Sequence, residues 1–328
     1  MTAQNYLTYL HLLTPLHTGG SADEGNLMGI AREVHTEFPY LPSSSLRGRI
    51  RAELERKNPE DQDNLKEAAG HFFGQKINDG NQPTEGEVWF ADATLLLFPI
   101  ASLSHHLVWI TCPLWLDRWS RWLEGDTKDL QELIRNCNTQ LNDQALNKSA
   151  VTSFSVEKLY LQTALLSKED TYHEKDWNAL KTKLKPITEN NGLLGNLFSK
   201  LIVLTDEDCA ALVELGLQRE VRVALEEESK TVKGGSFRSE EAIPPEAIMF
   251  FPWGTKPPRP LPVDQRETDV DKRQKAEAEA QKKLNNDALV REALHTKLNA
   301  RLQFGGLEGL GRGWASLKTV SPIQGEKK

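Results

Sequence analysis

No stretch of this 328-residue chain is apolar for long enough to cross a bilayer as a helix. A spanning helix needs about 20 consecutive apolar residues, and the best run, Leu95 to Leu103, is short and broken by Pro99. The chain does not open on a basic and then an apolar segment either. Thr2 to Asn5 is polar and His11 interrupts the first hydrophobic run, so a cytoplasmic protein with no membrane partner is expected. Cysteine is scarce: Cys112, Cys137 and Cys209 are odd in number and far apart, with no CxxC pair. That argues against a disulfide framework or zinc knuckle and predicts buried, reduced thiols. Positive charge is in deficit, with 40 Lys and Arg against 47 Asp and Glu and a net charge of −7. Taken over the whole chain, this argues against a nucleic-acid binder. The specific enzyme signatures are missing too: there is no GxxxxGK(S/T), GxSxG or HExxH, and the C-terminal glycines do not fit GxGxxG. Adjacent His105 and His106 have no acidic, Cys or His partner at ligand spacing, so no metal site is expected there.

What is present is an ordinary globular composition, 38% hydrophobic and 27% charged, in a length that allows one large domain or two small ones. Tyr6 to Leu13 reads as a strand stopped by Thr14-Pro15. From His17 to Gly29 four glycines are mixed with small and acidic residues, which predicts an irregular exposed loop. Ser43-Ser44-Ser45 then leads into LRGRIRAELERK, predicting a serine-capped helix over about 44–57. Gly48 inside it costs about 1 kcal/mol against alanine, so close packing is expected there.

Two β-rich runs, 87–100 and 106–114, lie one hairpin apart, and apolar residues at helical spacing follow from Trp115 to Leu141, with the tryptophans read as core. Residues 219–251 read as a hairpin turning at Glu226-Glu227-Glu228-Ser229. A proline-rich segment, 252–262, precedes a charged stretch that reads as a solvated linker to residue 283 and then as a surface helix. Phe304-GGLEGLGRGW-Ala315 is a glycine-rich turn before a last strand.

Three features bear on chemistry. Arg47, Arg49 and Arg51 alternate in the first turns of the predicted helix, where its dipole, its free N–H groups and guanidinium forks could meet a phosphate together. A solvated basic face paired with Glu53 and Glu55 explains the same residues equally well. The C-terminal glycine turn is a second place where backbone can approach a phosphodiester, with Arg312 supplying charge. The first glycine loop holds His17 and the acidic pair Asp23 and Glu24, as metal-assisted RNA cleavage would need and as many surface loops contain. The acidity is also localised. Residues 205–250 hold eleven acidic and five basic side chains, whereas 42–51 and 297–318 each carry a net +3, so the global balance argues only against a uniformly basic binder.

Read in order, LLTPLHTGG, GIAREVHTEFPYLPSSSLRGRIR, HFFG, VWFADATLLLFPIASL with VWITCPL, KTVKGGSFRSEEAIPPEAI and FGGLEGLGRGW resemble the RAMP superfamily. More narrowly, they resemble the backbone subunit, the fourth, of the Cmr-type (type III-B) CRISPR effector complex. The resemblance implies an α+β, modified ferredoxin-like fold, similar to an RNA recognition motif, in a single domain over 1–328. Within it, 115–200 would be a mostly helical insertion, 219–251 a thumb β-hairpin and 255–300 a proline-rich linker and charged helix.

The resemblance also implies the partners: a CRISPR guide RNA, target single-stranded RNA, copies of the chain itself and other Cmr-type subunits. Ser44, Ser45, Arg47, Arg49 and Arg51, with Gly305, Gly306, Gly309, Gly311, Arg312 and Gly313, would line the guide. Lys230, Lys233, Phe237 and Arg238 would belong to the thumb, Phe237 as a wedge or stacking residue, unless it packs at the hairpin base. Cleaving members use an aspartate in the first glycine loop, with Mg²⁺ or another divalent cation. Here that position falls on Leu27. Either the loop is shifted and Asp23 acts, with His17 nearby, or the subunit holds RNA without cutting it and needs no cofactor. A stand-alone enzyme for a phosphate-bearing ligand is the remaining reading.

Overall fold

Along the first strand, β1 (Gln4–Leu12), Tyr6, Leu10 and Leu12 enter one hydrophobic core and Leu7 and Tyr9 enter another, the two-residue alternation of a strand covered on both faces. The computed structural model describes residues 4–20, 23–24, 27–56, 63–74, 84–143, 145–146, 148–189, 191–224, 226, 228–229, 231–232, 237–257 and 269–323. After β1 come β2 (Asp23–Glu24), β3 (Leu27–Met28), α1 (Ser43–Glu55), α2 (Asp63–Phe72), β4 (Val88–Phe90), β5 (Thr94–Ser102) and β6 (His106–Thr111). Then follow α3 (Pro113–Ser120), α4 (Lys128–Asn142), β7 (Ala150–Thr152), β8 (Lys158–Leu161), β9 (Ala164–Ser167), β10 (Thr171–His173), α5 (Asn178–Thr188) and β11 (Leu201–Leu204). The chain ends with α6 (Asp206–Gly216), β12 (Gln218–Arg222), β13 (Arg238–Ala242), β14 (Ile248–Thr255), α7 (Val270–Lys297), β15 (Arg301–Gln303) and β16 (Trp314–Ile323).

The fold is a mixed α/β one built on a large mixed sheet, ordered β10-β7-β11-β6-β5-β14-β1-β16-β15, with β4 also pairing β14. Residues of α1, α2, α6 and α7 pack into one core and those of α4 and α5 into the other. Cover on both faces explains why β14 is buried at all eight positions and why β5 reads as a continuous apolar run. β5 and β6 pair antiparallel from Phe98↔Ile110 to Ser102↔His106, as the sequence predicts. Trp115 and Trp119 are core residues, and Cys112, Cys137 and Cys209 are buried thiols.

Several expectations are corrected. The periodic run from Trp115 to Leu141 is two helices, because Gly125 adopts a left-handed φ of +70° between them. Residues 115–200 carry four strands besides α3, α4 and α5, two of which widen the main sheet. The hairpin is shorter than 219–251: β12 and β13 pair from Gln218↔Ala242 to Arg222↔Arg238, while Ile248 to Phe251 lie beside β1 in the main sheet. Four consecutive buried apolar residues need cover on both faces, which a projecting hairpin does not offer. The segment read as linker to residue 283 is helical from Val270. Ala, Glu, Lys and Gln have high helix propensity without large apolar groups, and Asp269 caps the helix by accepting from the N–H groups of Asp271 and Lys272 at 3.1 and 3.3 Å.

Candidate nucleic-acid interface

The first helical residue of α1 is Ser43, and its cap position is Pro42, which carries no side-chain acceptor. The cap comes from a distant strand connection instead: Asp92 Oδ1 accepts from Ser43 N at 2.6 Å. The serine cap expected from sequence is therefore replaced by a carboxylate, already set where the helix dipole favours negative charge. Ser44 is exposed and Ser45 half-buried on the first turn. The close packing expected at Gly48 is also absent, since among the described residues no heavy atom beyond its chain neighbours and its own helix backbone lies within 4 Å of where its Cβ would sit.

The three arginines have separate fates. Arg47 turns inward: it donates to the carbonyl oxygen of Val88 at 2.8 Å and to that of Phe73, and its guanidinium lies 5.3 Å from the centre of the Phe73 ring. Burial, and then the nearby Arg51, push its pKa below the usual arginine value. Arg49 bridges Glu53 at 2.8 Å and Glu308 at 3.3 Å, tying α1 to the C-terminal glycine turn. Arg51 pairs with Glu55 at 2.6 Å. Arg49 and Arg51 thus meet the glutamates that the solvated-face reading proposed, while their partial exposure leaves room for an added anion.

The two glycine-rich segments come together. Gly306 N donates to His17 O at 2.9 Å and Gly313 N to Pro15 O at 2.8 Å. Gly305 has φ +77°, and a Cβ there would sit 2.2 Å from His17 O; at Gly313 it would sit 1.8 Å from Phe304 O. These glycines are needed for the segments to touch. Gly309 and Gly311 are exposed, and no described atom lies near a Cβ at either, so the rim of the turn stays open to an approaching backbone.

Arg312 does not join that rim. It is 7% exposed, and its Nη2 lies 2.5 Å from Glu220 Oε2, so the phosphate contact expected of it gives way to an ion pair at the hairpin base. That pairing draws the Glu220 carboxyl below the usual range. His17 is also buried, at 5% exposure, with Nδ1 2.8 Å from Glu241 O. Its position makes it a packing residue of the loop rather than a group open to substrate.

Phe237 is 49% exposed, so it is not packed in the core, and Arg238 faces Arg222 across the hairpin. Lys230 and Lys233 lie outside the described residues. Asp23 pairs through its backbone with Met28, and its side chain is outside the description. Leu27 pairs with Glu24 and Ser239 and lines a cleft of about 860 Å³. Arg32, Glu214, Arg219 and Glu241 line the same cleft, which sequence reasoning missed. Its sequence trace is Glu241 of the acidic pair, which faces Arg219 on the opposite strand.

Among the described residues, no three His, Cys, Asp or Glu side chains converge to hold a metal ion. The carboxylates of Glu214 and Glu241 in the cleft are already paired with arginines. The described donors therefore do not fit a divalent cation. No helix among these residues is long and apolar enough to cross a membrane.

A Pyrococcus furiosus protein named CRISPR system Cmr endoribonuclease Cmr4 is 28% identical over 323 residues, covering 96% of each chain. A crystal structure of oligomeric Cmr4 from Pyrococcus furiosus matches with a TM-score of 0.59 and 24% identity, over 97% of this chain and 98% of that one. A chain in the cryo-EM structure of the Type III-B Cmr-beta complex bound to cognate target RNA matches with a TM-score of 0.65 and 20% identity, over 97% of each chain. These likenesses establish a shared fold across nearly the whole length. The RAMP superfamily model matches residues 9–316, and the chain belongs to the RAMP superfamily.

Proposed function

We propose that this chain is a guide-RNA-binding backbone subunit of a type III-B CRISPR effector complex, stacked in copies and holding complementary target RNA beside other Cmr-type subunits in the cytoplasm. The observation that carries the reading is the likeness to Cmr4, end to end over 96% of both chains. In this reading the fold is a single modified ferredoxin-like domain and the β12–β13 hairpin is its thumb, with Phe237 and Arg238 exposed to meet RNA. The guide runs over the open faces of Ser44, Gly48, Gly309 and Gly311, within reach of Arg49 and Arg51. Cleavage is a separate matter. Leu27 occupies the position of the family's aspartate and can neither bind a metal nor take a proton, which favours holding over cutting.

The test is copurified material followed by a labelled complementary RNA. Retained RNA of defined length, strong absorbance at 260 nm and tight capture of the complementary strand are expected. A chain free of RNA that fails to bind a guide would overturn the reading in favour of a stand-alone phosphate-ligand enzyme. Regularly spaced products that need Mg²⁺ and vanish in Asp23→Ala would assign the chain an endoribonuclease activity centred on Asp23.

A further inference from the structure

Glu240 and Glu241 are adjacent on β13, so their side chains leave the strand on opposite faces. Both are buried, at 6% and 2% exposure, and each meets an arginine from a different glycine-rich segment. On one face Arg32, which follows the first glycine loop, donates to Glu241 Oε2 at 3.0 Å and reaches Glu214 Oε2 at 2.7 Å. Arg219 of β12 lies 3.1 Å from Glu241 Oε1 and also pairs with Glu214. Arg32, Glu241, Arg219 and Glu214 thereby close a ring of alternating charge that links the loop, both hairpin arms and α6. On the other face Arg312, from the C-terminal turn, lies 2.5 Å from Glu220 and 3.9 Å from Glu240, and Arg222 Nε lies 2.9 Å from Glu240.

The sheet carrying this hairpin is small. It has four strands, β12-β13-β3-β2, and the β13–β3 contact spans two residue pairs. Just past β13 the Leu16↔Ile243 bridge adds two backbone hydrogen bonds at 2.9 Å, which pin the base of the hairpin but give its outer part little resistance to rocking. A buried charge, by contrast, is tolerated only while it stays paired: rotation of the hairpin would separate the buried Arg312 from both of its carboxylates and take Arg32 from Glu241, leaving Glu241 to Arg219 alone. We propose that Arg32 and Arg312 are positioning residues, a two-sided clamp that holds the β12–β13 hairpin at a fixed angle to the body. The clamp itself is independent of RNA. Its consequence rests on the backbone-subunit reading, in which the hairpin angle sets where the thumb meets a guide–target duplex.

The experiment uses the full chain without RNA. The native cysteines are buried, so spin labels are directed to Leu103→Cys on the β5–β6 turn and Val223→Cys beyond β12, positions 82% and 40% exposed. The clamp predicts a single narrow interlabel distance distribution that widens at least twofold in Arg32→Ala plus Arg312→Ala, with circular dichroism unchanged. Glu240→Gln plus Glu241→Gln, which keeps side-chain shape, is expected to widen it likewise. A distribution as narrow as the parent's in either folded variant would overturn the proposal. Loss of the whole fold in both variants would also overturn it, because the residues would then support the body rather than the hairpin angle. Guide retention is measured separately, so failure of the backbone-subunit reading leaves the distance result standing.

Discussion

The carboxylate of Asp92 accepts a 2.6 Å hydrogen bond from the backbone N–H of Ser43, across 49 residues of sequence. It supplies the cap that Pro42 lacks and places a negative charge at the positive end of α1. Asp92→Ala is expected to lower stability by about 1 kcal/mol, the usual cost of a lost cap, and Asp92→Asn by less because an acceptor remains. Urea unfolding monitored by circular dichroism reads both. An Asp92→Ala midpoint equal to the parent's would show that the cap is not used.

Gly48 of α1 and Gly313 of the C-terminal turn are expected to respond in opposite directions. Gly48 sits exposed on α1 with open space around its Cβ position, so Gly48→Ala gains helix propensity and is expected to stabilise by about 1 kcal/mol. Gly313 has φ +79°, and a Cβ there would overlap Phe304 O at 1.8 Å. Gly313→Ala is expected to cost more than the ~1–3 kcal/mol of backbone strain alone. Comparing the two midpoints checks this, and equal shifts in one direction would refute it.

The strands and helices that could be read from sequence are those whose pattern repeats within the element. β1 and the α1 positions Leu46, Ile50 and Leu54 carry their own period, and β5 its continuous apolar run, because each faces a core over its whole length. β7 and β10 are three residues each, too short for any period, and they are strands only because β11 and β7 offer them partners. The site divides the same way. Arginine after arginine is visible in the sequence, but the acceptors of Arg47 are carbonyl oxygens 26 and 41 residues away, which no local pattern encodes. The clamp on Glu240 and Glu241 joins three separate segments, so only the folded chain brings it together.

Acidification is expected to weaken the packing of α7 through His295. Its ring stands edge-on to Tyr6 at 4.5 Å between centroids and 5.6 Å from Trp253, and burial pushes its pKa below the usual histidine value. The unfolded chain, with an ordinary histidine pKa near about 6.5, therefore binds the proton more readily than the folded one. Stability is full above that value and falls as the pH drops through it toward the lower folded pKa. Urea midpoints at pH 7.5 and 5.5 are expected to differ more in the parent than in His295→Phe. An identical pH dependence in the two would remove His295 as the cause.

Arg47 and Arg49 are two residues apart, yet they are expected to separate cleanly in an RNA-binding experiment. Arg47 is bound to two carbonyl oxygens and stacked on Phe73. Arg47→Ala would leave those acceptors short of a donor and uncover the ring, so its effect is on stability, about 1–3 kcal/mol for partly buried partners that lose a charged donor. Arg49 is held by Glu53 and by the half-exposed Glu308, and a phosphate can compete for its guanidinium there. If the guide crosses α1 as proposed, Arg49→Ala removes one phosphate contact. The slope of log affinity against log salt is then expected to become shallower by about 1, uniformly across guide sequences. The unfolding midpoint should stay close to the parent's, because partly exposed ion pairs contribute little. A slope unchanged in Arg49→Ala but shallower in a folded Arg47→Ala would place the guide on the opposite side of the helix from the open face at Gly48.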